Sequence, residues 1–343
     1  MKKIVRILSI VAIIAVVVAM SVGFVACDKG DKGYSRYDGQ VIRFAAPQGT
    51  PALAMLRLKT DNPTLDGTKM EYDVVSPQTI ALEMGADKAD VVIMPVNTGA
   101  DLIRQGKDYK LVSVAVEGSL FMVGKKEGGN TLTIDDIKGK SVACIGKNAV
   151  PGMVFRYVMA NNGIQIIESG TPSGNQVLVK YVGDGSAAMS EYSKNTVQYM
   201  VVGEPAATQF KLKQSLNAEM DMQKAYEAVN PTVNGDSYPQ AGLFVRTALA
   251  NDVKFMNALF DALDASKDWV EDHPAEVTEF ASQNLYAGAA FPAPSIPRCA
   301  IECDRLDAED KSEIIAFLKN VEPVDVETGK AIDWDSWFGK LFG

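Results

Sequence analysis

Hydrophobic and polar positions fall into unequal blocks along this chain, and the first block is the most apolar. After Lys2, Lys3 and Arg6, every residue from Ile7 to Met20 is apolar except Ser9. A positive start, a short apolar run and small residues before Cys27 have the form of a secretory signal over residues 1–26. The same stretch, counted from Ile4 to Ala26, is also long enough to cross a bilayer. Residues 28–39 are polar and glycine-rich, which predicts a flexible tether.

From Val41 onward, short apolar runs recur between helix-forming segments. Strands are expected at 41–45, 70–75, 89–95 and 110–116. Helices are expected at 52–59, where Thr50 caps and Pro51 takes the first position, at 77–83, and after a cap at Asn97 and Thr98. These strands are apolar throughout rather than alternating, as in a sheet covered on both faces. Their repeated strand-helix-strand spacing predicts a parallel α/β sheet. After Gly128-Gly129-Asn130 the pattern starts again. It gives a short helix at 133–137, strands at 141–145, 177–182 and 197–202, and helices at 153–161, 187–194 and 206–215. Asn162-Gly163 ends the helix before it. Extended runs at 120–124 and 240–245 flank this second block. Helices follow at 252–272 and 275–285, then a rigid surface loop marked by Pro292, Pro294 and Pro297. An amphipathic helix over 307–319 turns Ile314, Ile315 and Leu318 inward. A packed terminal helix at 334–342 carries Trp334, Trp337, Phe338 and Leu341.

Charge narrows the function classes. The formal net charge is −9, and it becomes −12 once the three cations of the first block are removed. Such a body is repelled by phosphate backbones and anionic headgroups, so no nucleic acid is expected as a partner. Four cysteines occur. Cys144 lies in an apolar strand-like run and reads as a buried, inert thiol. Cys299 and Cys303 are close enough to form a disulfide if the local backbone allows it, and that pairing stays open. The single histidine, His273, precedes Pro274 at a polar helix junction, so neither a metal nor another cofactor is expected. No Gly-x-Ser-x-Gly elbow and no Walker-type phosphate loop occurs, and no activated nucleophile or matched acid and base stands out. The chain does not read as an enzyme.

Several short stretches resemble known patterns. Phe24-Val25-Ala26-Cys27 resembles a bacterial lipobox, which implies cleavage before Cys27 and a lipid on that residue. Leu132-Thr133-Ile134-Asp135-Asp136-Ile137-Lys138-Gly139-Lys140-Ser141-Val142 resembles the entry into the second lobe of extracytoplasmic solute-binding proteins of ABC importers. Asp90 to Ala100, Met153 to Gly163 and Gly203-Glu204-Pro205 resemble further segments of the same family, in the same order. The likeness is to the type II periplasmic-binding-protein group, in its nitrate/sulfonate/taurine/thiamine-precursor branch.

That resemblance implies an α/β, two-lobed fold with two crossover strands and a C-terminal helical return. Lobe one would hold residues 40–118 and 245–343, and lobe two residues 125–238. A small organic molecule, such as a vitamin precursor or a sulfonate, would be captured between the lobes and passed to an ABC permease. The protein would be a monomer outside the cytoplasmic membrane, touching that membrane only through the Cys27 lipid. The same fold leaves two alternatives: a cofactor-biosynthesis enzyme, or a sensory surface lipoprotein.

In α/β sheets, ligands sit beyond the carboxyl ends of the strands. The candidate contacts in lobe one are therefore Gln48, Gly49 and Thr50, then Asn97 and Thr98, then Glu117, Gly118 and Ser119. In lobe two they are Lys147, Asn148 and Ala149, then Asp184, Gly185 and Ser186, then Glu204. Each also reads as a helix cap or turn residue. Small residues, hydroxyls and amides suit a neutral or weakly charged ligand. Lys147 and the helix N-termini suit an oxyanion, yet no arginine sits in these loops to grip one. Glu117 and Glu204, unless salt-bridged, favour a cationic or heterocyclic ligand.

Overall fold

The computed structural model describes residues 41–230, 238–325 and 328–343. The expected signal segment, the tether and Cys27 lie outside these residues. Two six-stranded sheets form the frame. The first runs in the order β2 (Thr64–Leu65), β3 (Thr68–Val75), β1 (Ile42–Pro47), β4 (Val91–Pro95), β12 (Pro239–Arg246) and β5 (Tyr109–Glu117). β1 is parallel to β3 and β4, whereas β12 is antiparallel to both of its neighbours. The continuous apolar run of β4 is explained by its place: Val91, Val92, Ile93 and Met94 are all fully buried.

Helices follow these strands closely. α1 (Thr50–Ala54) and α2 (Leu56–Asp61) replace the single helix expected at 52–59, divided at the fully buried Met55. α3 (Ile80–Gly85) precedes β4, and α4 (Val96–Arg104) starts on the residue after it. Pro95 is the N-cap residue of α4, so Asn97 and Thr98 lie in its first turn rather than capping it.

The second sheet runs β11 (Ala218–Asp221), β6 (Leu120–Gly124), β10 (Tyr199–Gly203), β7 (Lys140–Ile145), β9 (Gln176–Val182) and β8 (Gln165–Ile167). β7, β8, β9 and β10 are parallel, and β6 is antiparallel to β10 and β11. Its helices are α5 (Ile134–Ile137), α6 (Val150–Asn161), α7 (Gly185–Ser193), α8 (Ala206–Gln214) and α9 (Met222–Val229). Thr133 and Asp136 form a reciprocal capping box on α5. The chain passes from the first sheet to the second between Glu117 and Leu120, and returns along β12. Both extended runs are thus full sheet members.

The C-terminal part returns to the first sheet through α10 (Thr247–Ala250), α11 (Val253–Asp272), α12 (Val277–Asn284) and α13 (Ala308–Val321), ending in α14 (Phe338–Phe342). α11 packs on α2, and α13 reaches across to α6. The proline-rich segment is not a plain surface loop. It forms a 3₁₀ turn, Ala293–Arg298, with Ser295 and Ile296 buried, because the fixed proline torsions favour a tight turn docked against α11. Trp334 and Leu341 are fully buried, and Phe338 stays exposed. The result is a two-lobed α/β body. One buried core runs from Val92, Met94 and Phe244 to Val142 and Val201, and a smaller one around Val123, Met200 and Val202 lies in the second lobe.

Candidate interlobe site

The carboxyl ends of the two sheets meet, and side chains from their loops touch directly. Thr50 Oγ1 donates to the Glu204 carbonyl at 2.9 Å. Asn97 Nδ2 donates to the Asn148 carbonyl at 3.1 Å. Gln78 Nε2 donates to Asp184 Oδ2 at 3.0 Å. At the crossing, the Ser119 N–H donates to Gln240 Oε1 at 3.2 Å, and Gln240 Nε2 donates to Ser119 Oγ at 3.1 Å. Ser119, Thr50 and Asn97 are buried by these contacts.

Local chemistry sets up each loop. Gly49 has φ of 100°, a backbone state that favours glycine, and its N–H donates to the Tyr286 hydroxyl at 3.3 Å. Gln48 is exposed and Thr98 half-buried. Asp184 serves twice: Oδ1 accepts from the Ala187 N–H at 2.8 Å as the cap of α7, while Oδ2 faces Gln78. Gly185 and Ser186 form the first turn of that helix, and Ala149 precedes α6. Lys147 does not point its charge into the cleft unopposed. Its Nζ lies 2.6 and 2.7 Å from the Glu168 carboxylate oxygens and 5.1 Å from the centre of the Tyr181 ring. Glu117 and buried Gly118 lie at the crossing, where Glu117 lines a cavity of about 250 Å³ with Tyr226, Tyr238 and Phe317.

Glu204 is the most deeply held charge of the candidate set, at 5% exposure. Its carboxylate accepts from the Thr208 N–H at 3.1 Å and from Thr208 Oγ1 at 2.9 Å, and it takes a third bond from Arg298 Nε. Arg298 also grips Glu219 with both terminal nitrogens, at 3.0 and 2.9 Å, and lies 3.9 Å from the centre of the Phe121 ring. Lys211 reaches Glu219 at 3.0 Å. Burial pushes the Glu219 carboxyl up, but bonds from Arg298 and Lys211 outweigh this and hold it below the usual range. Arg298 is the side chain at this junction that sequence reasoning missed. It comes from the proline-rich turn, and no local pattern ties it to the strand ends.

Behind Asn97 lies a second polar cluster. Glu322, buried at the end of α13, has its carboxyl pushed up to about 8, first by burial and then by the Asp101 carboxyl beside it. Arg104 pairs with both Asp101 and Asp325.

Cys299 and Cys303 are free, buried thiols, so the disulfide left open above is not formed. The intervening segment is bonded along β5, with Ile301 opposite Val116 and the Cys303 N–H donating to the Val114 carbonyl. Cys299 faces Thr50 and Ser295, and burial pushes its thiol up to about 12; Cys303 is likewise pushed up to about 12. Cys144 is fully buried in β7 and its thiol is raised by burial. His273 stacks on Trp269 with ring centres 4.9 Å apart. Among the described residues, no group of three or more His, Cys, Asp or Glu is placed to hold a metal ion, and no helix is long and apolar enough to cross a membrane.

No family model and no curated protein matches the chain. Solved structures do. An ABC transporter protein from Parabacteroides distasonis is 20% identical, covering 85% of this chain and 96% of its own, with a TM-score of 0.66. The ligand-binding component of an ABC-type import system from Staphylococcus aureus, solved with zinc bound, is 12% identical over 89% of this chain and 96% of its own, with a TM-score of 0.60. The alkanesulfonate-binding protein SsuA from Xanthomonas axonopodis pv. citri, bound to MOPS, is 15% identical over 88% of this chain and 93% of its own, with a TM-score of 0.57. The likeness is one of fold: the two-lobed, periplasmic-binding-protein-like architecture.

Proposed function

We propose that this chain is the extracytoplasmic solute-binding component of an ABC importer, capturing a small organic molecule between its lobes. The observation that carries this reading is the meeting of the two sheets' carboxyl ends through Thr50–Glu204, Asn97–Asn148 and Gln78–Asp184. Ligands of α/β folds sit at such strand ends, and a solute that touches both lobes favours their closed arrangement. Membership of importer components among the structural neighbours supports the same reading. Lobe one is residues 40–118 and 245–343, lobe two is residues 125–238, and bending falls at Glu117-Gly118-Ser119 and the start of β12. A permease in the membrane is the partner, and the lipid on Cys27 keeps the monomer beside it.

The work is binding rather than catalysis. Cys144 is sealed in a strand, and His273 is stacked on Trp269 in the C-terminal helices. The test is mass spectrometry of small molecules released from protein purified without refolding, followed by a thermal-shift screen of pyrimidines, sulfonates and nitrate. A released molecule that raises the melting temperature on re-addition, and draws the lobes together in small-angle scattering, is the expected result. If nothing is released, and no compound in the screen alters melting or lobe separation, the reading fails.

A further inference from the structure

The Asn97 contact between the lobes is backed by a pair of carboxyl groups. Asn97 is 1% exposed, and its Nδ2 donates to the Asn148 carbonyl of the other lobe at 3.1 Å. Its side chain also lies against the carboxyl of Glu322, at the end of α13, which in turn meets the carboxyl of Asp101, one turn further along α4. Two carboxyl groups in hydrogen-bond contact need a proton between them, because two carboxylates offer only acceptors. The same shortage of donors shows on the outer oxygens: Glu322 Oε2 and Asn97 Oδ1 are both buried with no hydrogen-bond partner among the described residues. Nearby charges do not relieve it. Arg104 is shared between Asp101 and Asp325. Of the elements packed on α13, α6 brings Arg156, bonded to the Lys147 carbonyl; the 334–337 turn brings Asp335, paired with Lys319; and α14 brings the exposed Lys340. Of those packed on α4, α3 brings Glu83, beside Lys88; β5 brings Glu117 and Lys110, the latter bonded to the Gly339 carbonyl; and β12 brings Arg246, paired with Asp87 and Asp90.

We infer that Glu322 is a positioning residue for lobe closure: with a proton held between it and Asp101 it backs Asn97 against Asn148, and loss of that proton loosens the contact and parts the lobes. The inference rests on the closure that the solute-binding reading above invokes. Closed, the Asn148 loop covers Asn97 and the carboxyl pair behind it. Opened, water reaches Asn97 and hydrates an ionised Glu322, so ionisation costs less in the open form. A group that ionises more readily open than closed ties closure to proton uptake. In the closed arrangement the Glu322 carboxyl, ordinarily at 4.5, stands at about 8, raised first by burial and then by Asp101. The closed form therefore keeps its proton up to about pH 8, whereas the open form gives it up at lower pH. Closure, and the hold on any solute that depends on it, is favoured on the acid side and weakens as pH rises through that value. The buried thiols of Cys299 and Cys303, pushed up to about 12, titrate well above this window.

The test is a pH titration of lobe separation that needs no solute. Small-angle scattering of the protein at constant ionic strength, from about pH 6 to about pH 9.5, should show the radius of gyration rising with a midpoint near 8. Glu322→Gln, neutral and of the same shape, should hold the low-pH value throughout. Asn97→Ala, which removes the contact itself, should hold the wider value throughout. Circular dichroism melting checks that both variants fold. Carbon-13 NMR of labelled glutamate carboxyls, with the Glu322 resonance identified by its loss in E322Q, should show that group titrating near the same midpoint. A native profile that stays flat overturns the inference, as does folded E322Q that opens with the native midpoint. A Glu322 carboxyl that titrates in the ordinary range overturns it too. None of these results touches the solute-binding reading, which fails in a different way: no released or screened solute then alters melting or lobe separation, even on the acid side.

Discussion

Glu204 and Glu322 are both carboxyl groups buried near the lobe boundary, at 5% and 3% exposure, and their surroundings differ in kind. Glu204 is met by a guanidinium, a backbone N–H and a hydroxyl. Glu322 is met by another carboxyl, Asp101, and its Oε2 has no hydrogen-bond partner among the described residues. A nearby guanidinium, Arg104, is divided between Asp101 and Asp325. Burial alone therefore does not set what an acidic side chain does. Compensated, it becomes a pin between lobes; under-compensated, it holds a proton into the neutral range.

Breaking the compensated side gives the largest effect. Arg298→Ala leaves Glu204 buried without its cation and should cost about 3 kcal/mol in urea unfolding. E204Q in the same background should recover most of that loss, which a double-mutant cycle would read as coupling.

The under-compensated side is tested by pH. The Glu322 carboxyl, ordinarily at 4.5, is raised to about 8 in the folded chain. The folded state therefore holds more protons than the unfolded state between these values, and Glu322 makes stability fall as pH rises through that window. Glu322→Gln should remove that fall and stabilise the chain by about 2 kcal/mol at pH 8, with little effect at pH 4. Urea unfolding at the two pH values checks it; an unchanged pH slope would contradict the assignment.

Two smaller changes sharpen the contrast. A Cβ on Gly152 would come within 2.8 Å of the Lys147 carbonyl oxygen and 2.9 Å of its Cα, so Gly152→Ala should cost roughly 1–2 kcal/mol and displace the 147–149 loop. Hydrogen exchange should then rise in that loop more than around Glu204. Gln78→Ala removes an exposed interlobe bond and should change global stability by no more than about 0.5 kcal/mol. Scattering of the ligand-free protein should still register a more open average.

Legibility in the sequence followed locality. β4, β7 and β10 stood out because their runs are apolar on both faces, and Asp184 announced its cap through its own neighbours. β8, three residues long, and β11, four, are too short to show a period. α9 buries only Met222 and Tyr226, so its stripe is thin. The single helix expected at 52–59 breaks at a buried methionine that no propensity marks. The strand-end loops were legible because the fold rule ties ligands to them. Which loops meet was not, because that depends on how two lobes face each other. Arg298 is the sharpest case, standing 94 residues from Glu204 on a turn that looked like surface.

The Ser119–Gln240 pair has a mechanical consequence. It ties the outgoing strand to the returning one by two hydrogen bonds, donated from each side at 3.2 and 3.1 Å. Two strips riveted together at their crossing bend across the rivets more easily than they twist about them. Under the proposed closure, that would restrict the lobes toward a single swing, like a door rather than a ball joint. In the closure proposed above, a single swing would bring Thr50 to Glu204, Asn97 to Asn148 and Gln78 to Asp184 in one stroke, the three contacts this structure shows made together.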